Sequence, residues 1–412
     1  MSHYNALIIG AGAVGLATAL RLQTRRPNWT IAVLDKEEQV AAHQTGNNSG
    51  VIHSGVYYQP GGTRATLCRK GYNELLAFAV EHHVPFKLTG KFIVAITNAE
   101  VPRLRNIMER GIANGLTGLE WLETAAFRER APQLGGVAAL WVPQAGIISY
   151  RAVTEKYAER FQALGGRLHL GERVAGISRS PSGWWVETET SQVPGFSPTA
   201  MGQAVRKYQA DNIINCAGLY SDKLTALSGE QPDVKILPFR GEYYELAPAT
   251  ASQVPALVYP VPNPNFPFLG VHLTPTIDGR VEAGPNAVLA YAREGYTNRQ
   301  IQWRELRETL AYSGFRSLAR KYWRDGAKEL HRSYSKSAFL RALQPLLPTL
   351  QRKDLLPGGA GVRAMAVAPD GTMIDDFLFY KGPGIVNVAN APSPAATASL
   401  AIGEAVVDEL LG

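Results

Sequence analysis

The spacing of hydrophobic positions switches repeatedly between the two regular periods, and the switches predict an α/β protein. Residues 4–9 form an apolar run ahead of a glycine and read as a strand buried on both faces. Residues 13–26 carry apolar side chains at a period near 3.6 and predict a helix. Residues 29–37 predict a second strand, ending at Asp35. A helix is expected over 64–83, with Leu67, Leu75, Leu76 and Phe78 as its apolar stripe, then a strand over 91–96 and mostly helix over 99–134. Residues 149–166 read as a helix with Ser149 and Gly165 as caps. Two strands, 167–179 and 183–190, follow around a turn at Pro181–Gly183. Residues 191–210 read as a surface excursion and 211–218 as a buried strand. Residues 236–246 form a strand with an arginine at its middle. In the β-type region 256–286, Pro262, Pro264 and Pro267 argue for an edge or lining loop. Residues 299–350 turn helical. The chain then returns to α/β character, with a strand over 386–389, a loop over 390–394 and a helix from Ala395.

Composition narrows this picture. A chain of 412 residues, 45% hydrophobic and 19% charged, predicts two or three domains with a sizeable core. No apolar run approaches the roughly 20 residues that span a bilayer, and no signal-peptide pattern opens the chain. Cys68 and Cys216 are the only cysteines, which excludes a disulfide framework and suits a reducing compartment. The expectation is a cytoplasmic protein, with peripheral attachment at the inner face of a membrane left open. The net charge is +7 and concentrates in residues 293–353, where 14 lysines and arginines face 5 acidic residues. Trp303, Tyr322 and Trp323 are interleaved with these charges. A solvated helical face explains the segment most simply. An anionic lipid surface is the second reading, and nucleic acid lacks any accompanying module.

The chemistry begins at Gly10, Gly12 and Gly15, a G-x-G-x-x-G between strand and helix. Gly10 permits the tight turn, Gly12 the approach of a pyrophosphate and Gly15 the packing of helix on strand. The helix N-terminus adds free N–H groups and the positive end of its dipole. Asp35, about 20 residues on, can accept from a ribose, with Lys36 beside it. The polar loop 43–58 fits no periodic element and suits a run along a cofactor: Gln44, Thr45, Asn48 and Ser49 supply hydrogen bonds, Gly50 and Gly55 allow close approach, and Val51 is counted with the cofactor-binding residues. Val174, Ala217, Gly218, Gly361, Asn390, Pro392 and Ala395 complete the expected cofactor-lining set. This dispersal along the whole chain favours an extended FAD over a nicotinamide cofactor. No metal is expected, since the eight histidines form no ligand-spaced set.

The stretches HQTGNNSGVIHSGVYY, PFRGEYYEL, YPVPNPNFPFLGVHLT, GPNAVLA with REGY, GVRA with PDG and DDF, and NAPSPAATASLAIG resemble the L-2-hydroxyglutarate oxidases and dehydrogenases. These are FAD-dependent enzymes of the D-amino-acid-oxidase-like superfamily, and the resemblance covers nearly the whole chain. Asn47, Pro275 and Met365 depart from residues common in that family. The resemblance implies oxidation of L-2-hydroxyglutarate to 2-oxoglutarate, with hydride passing to flavin N5 and electrons onward to a quinone or oxygen. It also implies a Rossmann-like FAD domain, assigned to 1–89, 146–228 and 355–412. A substrate domain of mixed β-sheet plus helices is assigned to 90–145 and 229–354. Two further readings are another superfamily enzyme, acting on an amino acid or glycerol 3-phosphate, and a non-catalytic FAD-containing binding protein. A dicarboxylate calls for guanidinium clamps, for which Arg240 and Arg363 are the candidates. A histidine titrating near neutrality suits the base that takes the hydroxyl proton. His53 is placed ahead of His272 in that role, and Tyr57, Tyr243 and Ser393 are expected to touch substrate.

Overall fold

The computed structural model describes residues 2–190, 204–264, 266 and 268–412. They form two compact units. The first takes the chain up to residue 46, then 150–237 and 364–412; the second takes 47–149 and 238–363. Residues 47–89 therefore group with the second unit, not with the expected cofactor domain. The short strand Val51–Ile52 pairs with Gly146–Ile148, and so does Phe86–Lys87, which ties this stretch to its own sheet.

In the first unit the strand Ser2–Ile9 lies between two parallel neighbours, Ile31–Leu34 and the end of Ala204–Asn215, with Leu7 opposite both Ala32 and Ile213. Leu7 and Ile8 are completely buried, each worth about 1.5–3 kcal/mol against exposure. The sheet extends on one side through Gly183–Thr190 to Glu172–Ser180 and on the other to Arg167–His169, with Ile385–Asn390 also paired to Ala204–Asn215. The helix Ala13–Arg25 packs on Ser399–Leu411, where Gly403 meets the backbone of Ala17 and Thr18. Arg25 reinforces the contact through Glu404, at 2.9 Å, and Asp408.

The second unit is built on a nine-stranded sheet among the described residues. At its middle Leu257–Pro260 runs parallel to Lys91–Ala95 and antiparallel to His272–Pro275. Because side chains alternate along a strand, the sheet has two unlike faces. Phe92, Val94, Val258, Leu273 and Ala283 point to one face, where Phe127, Phe339 and Leu343 from helices Thr124–Arg130 and Lys336–Leu343 cover them. Lys91, Tyr259, His272, Thr274 and Glu282 belong to the other.

Several expected elements differ. Within 99–134 the strand Glu120–Glu123 separates the helices Val101–Ala113 and Thr124–Arg130, because it pairs with Ala138–Val142. In the expected excursion 191–210, residues 191–203 lie outside the described residues. Residues 204–210 are ladder, paired to Gly183–Thr190. The last helix begins at Ser399, since residues 393–398 form turns ahead of it. Pro262 and Pro264 occupy the loop after Leu257–Pro260, as expected of a lining segment; Pro267 is outside the described residues.

Glycines separate required space from mere tolerance. A Cβ on Gly15 would lie 1.9 Å from the carbonyl oxygen of Gly10, whereas one on the exposed helical Gly326 meets nothing within 4 Å. Gly15→Ala is expected to lower stability by about 1–3 kcal/mol. Gly326→Ala should raise it by about 0.5–1 kcal/mol through helix propensity. Denaturant midpoints of the two variants, read against the parent, check both signs.

Candidate active site

In the first unit the fingerprint turn is set by backbone contact. Gly10 has φ of +112°, and a Cβ there would sit 2.5 Å from the Cys216 carbonyl oxygen. Its N–H donates to Leu34 O at 2.8 Å. The Asp35 carboxylate accepts from the Ala11 N–H at 2.6 Å and from the Glu37 N–H at 2.9 Å. It therefore locks the turn, and each oxygen keeps a lone pair for a ribose hydroxyl. Burial raises its pKa against these bonds. Thr45 Oγ1 accepts from the Ala13 N–H at 3.0 Å and would lie 3.2 Å from a Cβ on Gly12. Gln44 stands beside Gly218, whose φ is +53°. The small residues of two crossover turns and a helix N-terminus thus line one end of the sheet, which fits a dinucleotide.

Other expected cofactor residues in this unit have internal duties. The Lys36 ammonium pairs with Glu37 and lies 3.0 Å from His43 Nε2. Val174 packs in an apolar cluster with Tyr4, Leu7 and Ile213. The Ala217 N–H donates to Asn215 Oδ1. Asn390 donates through Nδ2 to the carbonyls of Ile374 and Asp376, both at 2.9 Å, so its amide pins that segment. Ser393 lies in the turn closed by the Ala395 N–H to Pro392 O bond, ahead of the last helix.

In the second unit Asn48 Oδ1 accepts from the Gly50 N–H at 2.8 Å, and Val51 is paired to Ile147. Gly361 passes so close to the Asn47 carbonyl that a Cβ would approach it to 2.4 Å. Ser49 and Arg363 both face the hydroxyl of Tyr243, which burial pushes up to about 12.

The polar face of the second sheet gathers both candidate histidines. His272 is 4% exposed and stacks on Tyr259, with ring centroids 3.8 Å apart and planes 18° from parallel. Its Nδ1 lies 2.8 Å from the Gly270 carbonyl. A carbonyl only accepts, so Nδ1 carries the proton and Nε2 keeps its lone pair. Burial, with Arg363 and Lys91 nearby, lowers its pKa to about 3. Burial, with Lys91, Arg64 and His272 nearby, lowers that of His53 equally, to about 3. Sequence reasoning expected a histidine titrating near neutrality. Desolvation of the imidazolium removes that property, and both rings are neutral bases. Glu282, on the same face, is raised to about 7 by burial.

Arg240 does not act as expected. It is 1% exposed, and its five N–H donors are matched. They go to Glu242 twice, at 3.1 and 2.9 Å, to the carbonyls of Gly295 and Thr297, and to Asn298. None remains for a substrate carboxylate. Arg363, the other candidate, lies beside the Tyr243 hydroxyl. Sequence reasoning missed Lys91 and Tyr259. Lys91 opens an otherwise apolar strand and reads locally as an ordinary strand-start lysine. Tyr259 reads as core.

The family model of FAD-dependent oxidoreductases matches residues 5–409. The L-2-hydroxyglutarate dehydrogenase of Indibacter alkaliphilus is 49% identical over 406 residues, covering 98% of each chain. That of Escherichia coli strain K12 is 42% identical over 99% of this chain and 93% of its own. The mitochondrial enzyme of Homo sapiens is 39% identical over 99% and 89%. Among solved structures, L-α-glycerophosphate oxidase from Mycoplasma pneumoniae with FAD bound superposes with a TM-score of 0.76 at 22% identity, covering 100% of this chain and 95% of that one. Glycine oxidase from Geobacillus kaustophilus gives 0.72 at 16%, covering 100% and 95%. At those identities the two share the fold.

Removing Arg240 leaves Glu242 half-buried without its counter-charge. Arg240→Met is expected to cost about 3 kcal/mol of unfolding free energy. Urea denaturation checks it, and a variant as stable as the parent would return Arg240 to the list of ligand-binding groups.

Proposed function

This chain belongs to the FAD-dependent oxidoreductases and, among them, to the L-2-hydroxyglutarate dehydrogenase family, and on that premise we propose that it oxidises L-2-hydroxyglutarate to 2-oxoglutarate. The observation that carries the reading is similarity over essentially the full chain to relatives bearing that name. Bound FAD supplies the acceptor for the hydride that leaves C2. Gly10, Gly12, Gly15, Asp35 and Gln44 would hold its nucleotide half.

His272 Nε2 takes the hydroxyl proton in this reading. The tautomer set by Gly270 supports the choice of His272 over His53, because the free lone pair is on the ring nitrogen away from the backbone. Stacking on Tyr259 holds the ring plane. Arg363, with the un-ionised Tyr243 hydroxyl beside it, binds the carboxylate next to the reacting carbon. A fork of parallel N–H groups fixes the orientation of that carboxylate, and so of the C2 hydroxyl toward the base. His53 lines the same pocket as a neutral hydrogen-bonding group.

The electrons pass on to a quinone or oxygen, and the basic helices Trp303–Ala311 and Ser313–Tyr334 support docking at an anionic membrane, where a quinone would be met. Trp303 is 73% exposed, Trp323 62% and Tyr334 65%, amid the cationic excess of 293–353. Aromatic side chains of this kind insert at the headgroup level while lysine and arginine meet the phosphates. No helix among the described residues is long and apolar enough to cross a membrane, so the contact proposed is peripheral.

The test is anaerobic mixing of the yellow holoenzyme with L-2-hydroxyglutarate. Rapid bleaching of the oxidised flavin band is expected, with none for the D enantiomer, glycine or glycerol 3-phosphate. Bleaching by one of the latter instead would replace the substrate. His272→Asn should slow reduction by about 10²–10⁴-fold with FAD retained. A base held near pH 3 is unprotonated at every higher pH. The reduction rate at saturating substrate is therefore expected to stay level from pH 8 to pH 5, without the half-loss at 6.5 of an ordinary histidine. For the membrane, co-sedimentation with anionic but not neutral vesicles at low salt is expected, reversed by added salt. Equal behaviour with both vesicle types would remove the docking surface.

A further inference from the structure

The proton transfer and the Arg363 clamp leave unused one cation on the polar face of the second sheet. Lys91 is 1% exposed. Its Nζ lies 4.1 Å from the centroid of the Tyr259 ring and 5.3 Å from that of Tyr57. Among the described residues no carboxylate and no hydrogen-bond acceptor meets it. The group that opposes its desolvation is the thiol of Cys68, itself pushed up to about 12 and so uncharged. Two ring faces attract a cation, but they offer no lone pair to its three N–H donors. The Tyr57 hydroxyl is a second orphan: it is buried and has no partner, and burial keeps it un-ionised. An ammonium on a side chain 1% exposed and a phenol hydroxyl sealed from water, both donors without an acceptor among the described residues, are unsatisfied by the fold itself.

Resting on the reading above, we propose that Lys91 and Tyr57 bind the C5 carboxylate of the dicarboxylate substrate and so decide its preference over monocarboxylic 2-hydroxy acids. The division of labour follows from the two kinds of cation. The carboxylate beside the reacting carbon must be held in one orientation, which suits the planar fork of Arg363. The far carboxylate, on a flexible two-carbon arm, needs only a compact charge with rotatable donors, which is what an ammonium offers. Charge around the pair favours an anion. Arg64 acts on the same region, and both histidines are neutral. Glu282 acts on Tyr243 and Tyr259 but not on Lys91. Holding the ammonium here is a cost to the fold that a bound carboxylate offsets.

The experiment compares two substrates and two variants of the holoenzyme. For Lys91→Met, kcat/KM for L-2-hydroxyglutarate is expected to fall by about 100-fold or more, as for loss of one partner in a buried charge pair. The slower turnover of L-2-hydroxybutyrate, which lacks the C5 carboxylate, should change by less than about 3-fold. Tyr57→Phe should shift the same ratio in the same direction by about 10-fold, as for one hydrogen bond to a charged group. Calorimetric titration with glutarate should show the same loss of affinity, independently of turnover. Thermal unfolding separates a structural role: Lys91→Met is expected to melt no lower than the parent, because it removes an uncompensated buried charge. An unchanged substrate ratio, an equal fall for both substrates, or a lowered melting point with normal glutarate affinity would each overturn the assignment. A parent enzyme that bleaches with neither hydroxy acid would instead overturn the reading on which it rests.

Discussion

A charge removed from water must meet a partner or lose its charge, and in the second unit this constraint sorts the ionisable residues into distinct roles. Arg240 meets it completely: five donors, five bonds, at a site 1% exposed. Such a residue is a structural post, tying the middle of its strand to the loop that carries Gly295, Thr297 and Asn298. His53 and His272 meet it by staying neutral. Lys91 has no ionic partner among the described residues, and burial pushes it toward losing its charge, down to about 7. The first unit obeys the same rule, where the Glu172 carboxylate is 2% exposed and accepts from Thr188, Arg206 and Tyr208. A fully partnered ion is spoken for, and an orphaned one marks the place where a ligand is expected.

The alternation of side chains along the second sheet puts that orphan on the same face as His272. Lys91 pairs with Leu257, and Tyr259 follows two residues on. Tyr259 sits across from His272, because Val258 opposes Leu273. One residue of slip in either pairing would send Lys91 and His272 into the cluster of Phe92, Val94 and Phe339. That cluster is therefore more than a store of stability. The burial of one face fixes the register that assembles the chemistry on the other.

What was legible in the sequence was what is encoded locally. The turn at Gly10, the helix packed through Gly15 and the carboxylate at Asp35 lie within some 30 consecutive residues, and their spacing carries their meaning. The parallel strands around them read correctly because burial on both faces leaves an unbroken apolar run. The strand Glu120–Glu123 was hidden, because four residues beside helical sequence carry no period of their own, and pairing with Ala138–Val142 makes them a strand. Arg240 and Arg363 were indistinguishable as arginines in polar motifs. What separates them is Glu242 and Asn298 around one and Tyr243 near the other, and the partners Asn298 and Gly295 are more than 50 positions from Arg240. Lys91 was invisible for the opposite reason, since its meaning lies in the absence of a partner, which only the folded chain reveals.

The protonation states complete the argument, because burial assigns them before any ligand arrives. The Gly270 carbonyl fixes the proton of His272 on Nδ1, so the basic lone pair is on Nε2. Desolvation then keeps that lone pair free across the physiological range. The same desolvation lowers Lys91 to about 7, near the point where its charge is lost. An approaching carboxylate supplies the missing counter-charge and raises that pKa again, so the ammonium is most stable when the ligand is present. Neutral imidazoles, un-ionised phenols and a cation without a counter-ion leave this face with electrostatics that the fold alone does not balance. The same low dielectric that makes the lone cation costly would make its bond to a bound carboxylate strong, so both effects would arise from one cause.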